Sequence, residues 1–256
     1  MPIEFHMFPC LQDNYGYLIH DKNTGATATI DTPDVKQIEK ALKHKNWQLT
    51  HILNTHHHFD HAGGNLELKR KTGCTIVGPA ADANRIPGIE VQVGDGDTYM
   101  LGEEPITIFD TPGHTSGHIV YYLNDSKMVF VGDTLFSLGC GRLFEGTPKE
   151  MWESIQKLIQ LPDDTNVYCA HEYTLSNADF AITLEPNNKI LLKRIKEVTA
   201  MRKKNLPSIP TNIGLERKTN PFMRPKSEEI RALLNMNEAN DVEVFAEVRR
   251  RKDNFR

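Results

Sequence analysis

The sequence predicts an α+β fold in two parts, a strand-rich region over residues 1–172 that also carries helices and a helical region over 173–256. Two patterns carry that reading. Through the first two-thirds, short apolar runs alternate with Gly, Asn, Asp and Pro clusters, the punctuation of strands and turns. From Asn177 onward the pattern changes, and apolar residues recur at helical spacing between Pro-containing connectors.

Ile3–Phe8, Tyr15–Ile19 and Ala26–Ile30 read as strands, broken by Asn14, by Asp21–Gly25 and by the Asp31-Thr-Pro33 turn. Val35, Ile38, Ala41 and Leu42 then make one apolar stripe of a helix over Val35–Lys45. Leu49–Leu53 is a short strand, and Asn65–Lys71 a helix. Further strands are predicted at Thr75–Val77, Ile106–Phe109, Ile119–Leu123, Met128–Val131 and Val167–Cys169. Thr147-Pro148 supplies an N-cap and first-turn proline for a helix over Met151–Leu161. Asn188–Lys203, Ser227–Met236 and Val242–Lys252 are the helices of the second part, whose boundary falls near residues 172–176.

With 256 residues the chain can bury a sizeable core, and 39% hydrophobic and 25% charged residues match a soluble protein. No apolar stretch approaches the ~18–20 residues that span a bilayer, so no membrane association is expected. The start, Met-Pro-Ile-Glu-Phe-His, lacks the basic and apolar regions of a signal peptide, which predicts a cytoplasmic protein. Cys10, Cys74, Cys140 and Cys169 form no C-x-x-C pair and suit reduced thiols. Cys140, in a Gly-rich loop, is the one to test for reactivity. The net charge of −4 divides unevenly, with 17 Lys and Arg against 9 Asp and Glu in residues 187–256. Such a segment is a solvated helical surface or a site for an anion. The overall acidity argues against nucleic acid as the main partner.

The chemistry concentrates after strands. Residues 54–65 contain His56, His58, Asp60 and His61 in an H-x-H-x-D-H spacing, between the strand ending at Leu53 and the helix from Asn65. His114 follows the strand Ile106–Phe109, Asp133 follows Met128–Val131, and His171 follows Val167–Cys169. Loops at strand ends on a rigid scaffold are where such folds carry their sites. These seven His and Asp side chains, with no Cys among them, suit two divalent metals sharing one carboxylate, with open positions for water. The donor set accepts Zn, and also Fe or Mn. A water bridging cations ~3.5–4 Å apart loses a proton near neutral pH, which points to hydrolysis of an electrophilic carbonyl or phosphoryl group.

The T-H-x-H-x-D-H spacing, with the later His, Asp and His, resembles the metallo-β-lactamase superfamily. Within it the chain is similar to the hydroxyacylglutathione hydrolase (glyoxalase II) family. The further matches are Asp13-Asn14-Tyr15, Thr115-Ser-Gly-His118, Gly132-Asp-Thr-Leu-Phe136 and Gly139–Gly146. They continue through His171-Glu-Tyr173, Asn220-Pro-Phe-Met-Arg224 and Arg249–Asp253. The resemblance implies a four-layer αβ/βα sandwich with a C-terminal helical domain. It implies one metal on His56, His58, His114 and Asp133, and a second on Asp60, His61, His171 and the shared Asp133. A hydroxide bridging the metals, oriented by Asp60 and Asp133, would attack the thioester of S-D-lactoylglutathione, releasing D-lactate and glutathione. The substrate-binding residues carried over are Arg142, Phe144, Tyr173, Arg249 and Lys252. Arg142 stands where some members have Lys, and Phe144 where others have Tyr. A monomer without macromolecular partners is expected.

His57 is expected to point away from the metals, His118 to be core or second layer, and His6, His20, His44 and His51 to be ordinary packing or surface residues. The rival readings are a mononuclear-iron glutathione persulfide dioxygenase of the same superfamily, a ribonuclease of the same fold, for which the chain lacks a large basic arm, and a non-catalytic metal-binding protein.

Overall fold

In the computed structural model, which describes residues 3–255, the chain forms two compact units. One runs up to Asp110 and takes in Ser116–Gly132; the other comprises Thr111–Thr115 and the chain from Asp133 onward. The loops and helix after Asp133 share a core with the helices that end the chain.

The first unit is built on a six-stranded sheet in sequence order: β1 (Ile3–Cys10), β2 (Asn14–Asp21), β3 (Thr27–Ile30), β4 (His51–Leu53), β5 (Thr75–Pro79) and β6 (Val91–Val93). β1 to β3 pair antiparallel, and β3 to β6 pair parallel. Parallel neighbours need crossovers, supplied by α1 (Val35–Lys45), then by α2 (Phe59–Ala62) and α3 (Asn65–Thr72). The Asp34 side chain caps α1 by accepting from the Lys36 and Gln37 amides, and the helix buries Ile38, Ala41 and Leu42, the predicted stripe. These pack with Leu18, Ile52 and Ile76 in one core cluster, each large side chain contributing roughly 1.5–3 kcal/mol on burial.

An antiparallel meander of β7 (Thr98–Leu101), β8 (Glu104–Asp110), β9 (Ile119–Leu123) and β10 (Met128–Gly132) completes this unit. Phe130 of β10 meets Phe5 and Tyr17 with ring centroids 6.2 and 5.4 Å apart, so the two sheets pack face to face. β6 and β7, short and partly exposed, lack the apolar run that identified the other strands.

The second unit begins with the hairpin β11 (Leu135–Phe136)/β12 (Gly139–Cys140) and α4 (Pro148–Ile159). β13 (Asn166–Cys169) pairs with β14 (Thr211–Asn212). The helices are α5 (Thr174–Leu184), α6 (Lys189–Lys203), α7 (Ile213–Thr219), α8 (Glu228–Leu234) and α9 (Asp241–Asp253). Thr147 and Glu150 form a reciprocal capping box at α4. Trp152 of α4 packs on Phe245 of α9 at 5.9 Å, and Phe222 continues the stack to Phe180 of α5 at 6.2 Å. α5 blurs its own pattern: it buries the polar Thr174 and Asn177 beside Ala178, Phe180, Ala181 and Leu184, and exposes Leu175 with Ser176, Asp179 and Thr183. Among the described residues no helix is long and apolar enough to cross a membrane.

Candidate metal centre

The parallel register of β3 and β4 sets Asp31 beside the turn that begins at Asn54. The Asp31 carboxylate accepts from the Thr55 amide at 2.7 Å, the Thr55 hydroxyl at 2.8 Å and His61 Nδ1 at 2.8 Å. Since the Thr55 hydroxyl donates to Asp31, its oxygen accepts from His56 Nδ1, 3.0 Å away. One buried carboxylate therefore fixes the tautomers of two imidazoles, His61 directly and His56 through Thr55, so that Nε2 is the nitrogen of each able to accept a cation. His56 Nε2 lies 3.0 Å from His58 Nδ1, and His61 Nε2 3.5 Å from Asp60 Oδ2. Asn14 donates to Asp60 Oδ2 at 3.0 Å and orients that carboxylate.

The second unit brings His114, Asp133 and His171 together. The His114 Nδ1–H donates to the Arg142 carbonyl at 2.9 Å, and its Nε2 lies 3.4 Å from Asp133 Oδ2. His171 Nε2 lies 3.5 Å from Asp133 Oδ1. The two oxygens of one carboxylate thus face different imidazoles, as a bridging ligand requires. With metal–ligand bonds of about 2.0–2.2 Å, donors around a tetrahedral cation sit ~3.4 Å apart, which these separations match. All the donors are of kinds that hold a metal ion, so the residues present fit a divalent cation. Two glycines make the approach possible. A Cβ at Gly141 would collide with the Asp133 carbonyl, and Gly132, at φ +47, lies against His118 and Thr55.

The other histidines fall outside both sets. His57 Nδ1 lies 3.0 Å from Asp82 Oδ2, and its Nε2 3.3 Å from Arg85 Nη1. His118 is buried and stacks on His56 at 4.8 Å. His20 stacks on Trp47, and His51 meets the edge of Tyr99.

A pocket of about 430 Å³ in the second unit joins His114 and Asp133 to Arg142, Phe144, Tyr173, Arg249 and Lys252. Its size is that of a small-molecule site. Phe144 is 63% exposed and its ring lies 5.2 Å from that of His114. Tyr173 stacks on His171 with centroids 4.8 Å apart and planes 3° from parallel. α9 sorts its basic residues by helical spacing. Arg250 and Arg251 both pair with Glu247, whereas Arg249 and Lys252, three apart, turn to the pocket. Arg249 is a buried strut, donating to the Cys140 carbonyl at 2.9 Å and pairing with Asp253 at 2.8 Å. Lys252 donates to the Ser176 carbonyl at 2.9 Å. Burial, reinforced by the charges of Arg249 and Arg142, lowers its pKa to about 8.

Cys140 also lines the pocket but does not suit a reactive thiol: it is buried, and burial pushes its pKa up to about 11. Of the anchoring side chains, Thr55 opens the T-H-x-H-x-D-H run and Asn14 lies in Asp13-Asn14-Tyr15, with no role read for either, and Asp31 belongs to no motif. Asp31 occupies the same topological position as the ligands, just past a strand's C-terminal end, and that was its one signal in the sequence.

Comparison with known proteins gives concordant results. Residues 24–171 match the family model of the metallo-beta-lactamase superfamily, and residues 172–255 that of the hydroxyacylglutathione hydrolase C-terminus. The chain is 52% identical over 253 residues to a hydroxyacylglutathione hydrolase of Rhizobium meliloti (strain 1021), covering 99% of each chain. It is 51% identical over 254 residues to one from Methylococcus capsulatus, again covering 99% of each. Among solved structures, ETHE1 from Myxococcus xanthus superposes with a TM-score of 0.67 at 28% identity, over 99% of this chain and all (100%) of that one. The BLEG-1 B3 metallo-beta-lactamase shares the fold, with a TM-score of 0.66 at 21% identity over 86% of this chain and 100% of that one.

Proposed function

Because the chain belongs to the hydroxyacylglutathione hydrolases of the metallo-β-lactamase superfamily, with their α+β sandwich and helical C-terminal region, we propose that it hydrolyses S-D-lactoylglutathione and similar S-2-hydroxyacylglutathiones to the hydroxy acid and glutathione. It is a thioester hydrolase with a divalent metal site. The observation that carries the substrate assignment is the pocket, in which metal donors and anion-binding cations line one cavity.

The fuller reading is a two-metal centre. His56, His58 and His114 would hold one ion and Asp60, His61 and His171 the other, with Asp133 available to both; the imidazole-rich set favours Zn and is compatible with Fe or Mn. When bound, such ions lower the pKa of water and stabilise negative charge developing on a carbonyl oxygen. The rest falls to the chain's own side chains. Arg142 presents a planar fork suited to a glutathione carboxylate. Lys252 supplies a second cation, and Arg249 adds charge from the wall while holding β12 in place. Phe144 and Tyr173 flank the donors, and the stacking of Tyr173 keeps the His171 ring in its plane. The leaving thiolate, with a pKa near ~8.5, departs without a strong general acid.

In the proposed division of labour, residues 1–172 carry the catalytic domain and 173–256 bind the thioester, with Arg142 and Phe144 reaching the same pocket from before the boundary. The four buried cysteines form no disulfide, which is compatible with a reducing cytoplasm. Purified protein, with metals counted by elemental analysis, should release glutathione from S-D-lactoylglutathione. Full metal occupancy with no hydrolysis would overturn the reading, and one iron per chain with oxygen uptake on glutathione persulfide would replace it with a dioxygenase.

A further inference from the structure

Behind the pocket wall lies a carboxylate that the reaction itself does not use. Glu216, on α7, is 0% exposed. Its Oε2 accepts from the Leu138 amide at 2.8 Å and from Asn220 Nδ2 at 3.0 Å. Its Oε1 accepts from the Thr211 hydroxyl at 2.6 Å and the Ser137 hydroxyl at 3.2 Å. The same Asn220 amide group donates to the Phe136 and Gly139 carbonyls at 3.1 and 3.0 Å. Every residue of the β11–β12 turn, from Phe136 to Gly139, is thus gripped by Glu216 or by its partner Asn220.

The turn needs that grip. Leu138 is buried with φ +60, a left-handed conformation that a branched side chain does not adopt unless its surroundings impose it. The opposite side of the hairpin is functional surface. Phe136 and Cys140 line the pocket, and the Phe136 ring meets the edges of Tyr173 and His171 with centroids 5.3 and 6.0 Å apart. Asp133 precedes the hairpin and Arg142 follows it, the strands being closed by the Gly141 amide donating to the Thr134 carbonyl at 3.3 Å.

We propose that Glu216 is a positioning residue for substrate recognition. Clamping the 136–139 turn from behind, it sets the spacing along the pocket wall between Asp133, where the thioester reacts, and Arg142, where the peptide carboxylate is held. The proposal rests on the glutathione-thioester reading above. A carboxylate serving only to stabilise the fold would lower the melting temperature and leave the constants of the folded protein unchanged, whereas a positioning role acts on binding of the glutathione moiety.

The test uses Glu216→Gln, an isosteric change, with Ser137→Ala as a milder variant that decides the matter should Glu216→Gln not fold. Val198→Ala, in the α6 core away from the pocket, serves as a stability control. KM and kcat for S-D-lactoylglutathione, the Kd of glutathione by calorimetry, metal content and Tm are measured for each. For Glu216→Gln, KM and the glutathione Kd should rise about tenfold, with kcat within about twofold of the parent and metal content unchanged. Ser137→Ala should shift KM and Kd in the same direction by about threefold. Val198→Ala should lower Tm without moving either constant. Unchanged KM and Kd in both hairpin variants, or kcat and metal content falling together with binding, would overturn the positioning role while leaving the hydrolase reading intact. A parent protein that neither cleaves the thioester nor binds glutathione would overturn both.

Discussion

Asp31 touches no pocket, yet it governs the direction of two imidazoles through three hydrogen bonds of 2.7–2.8 Å. Asp31→Asn keeps the size but not the charge-assisted acceptor, and should weaken metal retention by about 10–100-fold, as measured by chelator competition. Phe144 offers a gain rather than a loss. Tyr in its place adds a hydroxyl at the pocket mouth, and one further hydrogen bond of about 1 kcal/mol would lower KM for the thioester roughly fivefold. Lys252 predicts the alkaline limb of the pH profile. Its pKa of about 8 means that the ammonium is present below that pH and lost above it. A bound carboxylate favours the protonated form, so KM should rise as pH climbs through this value, and Lys252→Met should remove that dependence. An unchanged KM from pH 7 to 9.5 in the parent would argue that Lys252 does not contact the substrate.

At the scale of elements, local chemistry explains where most helices begin. Thr147 accepts from the Glu150 amide while the Glu150 carboxylate accepts from the Thr147 amide, closing the first turn of α4. Thr147→Ala should cost about 1 kcal/mol. For a chain of this size that lowers Tm by roughly 2–4 °C without altering kcat. α9 shows how one periodicity serves two purposes, since residues three apart reach the pocket while the two between them pair with Glu247. α5 and α7 escaped the sequence reading for different reasons. α5 buries Thr174 and Asn177 and exposes Leu175, so its apolar stripe is blurred, and α7, seven residues long, is too short for a stripe to stand out.

For the whole molecule, bound metal should couple to stability, because ligands binding only the folded state stabilise it by mass action. Dialysis against a chelator should abolish hydrolysis and lower Tm, and zinc should restore both. An unchanged Tm on metal removal would indicate that the donor clusters are held by their hydrogen bonds alone. Fold and chemistry also divide between separate parts of the sequence. Among the parallel strands, β4 ends in the segment that carries His56, His58, Asp60 and His61, and β3 in the turn that carries Asp31, whereas residues of the last helix line the pocket.

The sequence alone offered the candidate donor residues and the class of chemistry, because metal ligation restricts residue type and a strand-to-helix turn restricts spacing. It also determined most strands and the amphipathic helices, whose periodicity is imposed by which face meets the core. Only the tertiary structure decided the supporting shell. Asp31 and Thr55 are 24 positions apart, and Glu216 and Leu138 are 78 apart, so no local pattern announces either pair. It likewise showed that Arg249 is a buried strut, that Cys140 is an inert wall, and that Leu138, buried at φ 60, sits in the turn between the pocket-lining Phe136 and Cys140. Those roles depend on which groups lose water together, and burial belongs to the folded chain rather than to any segment of it.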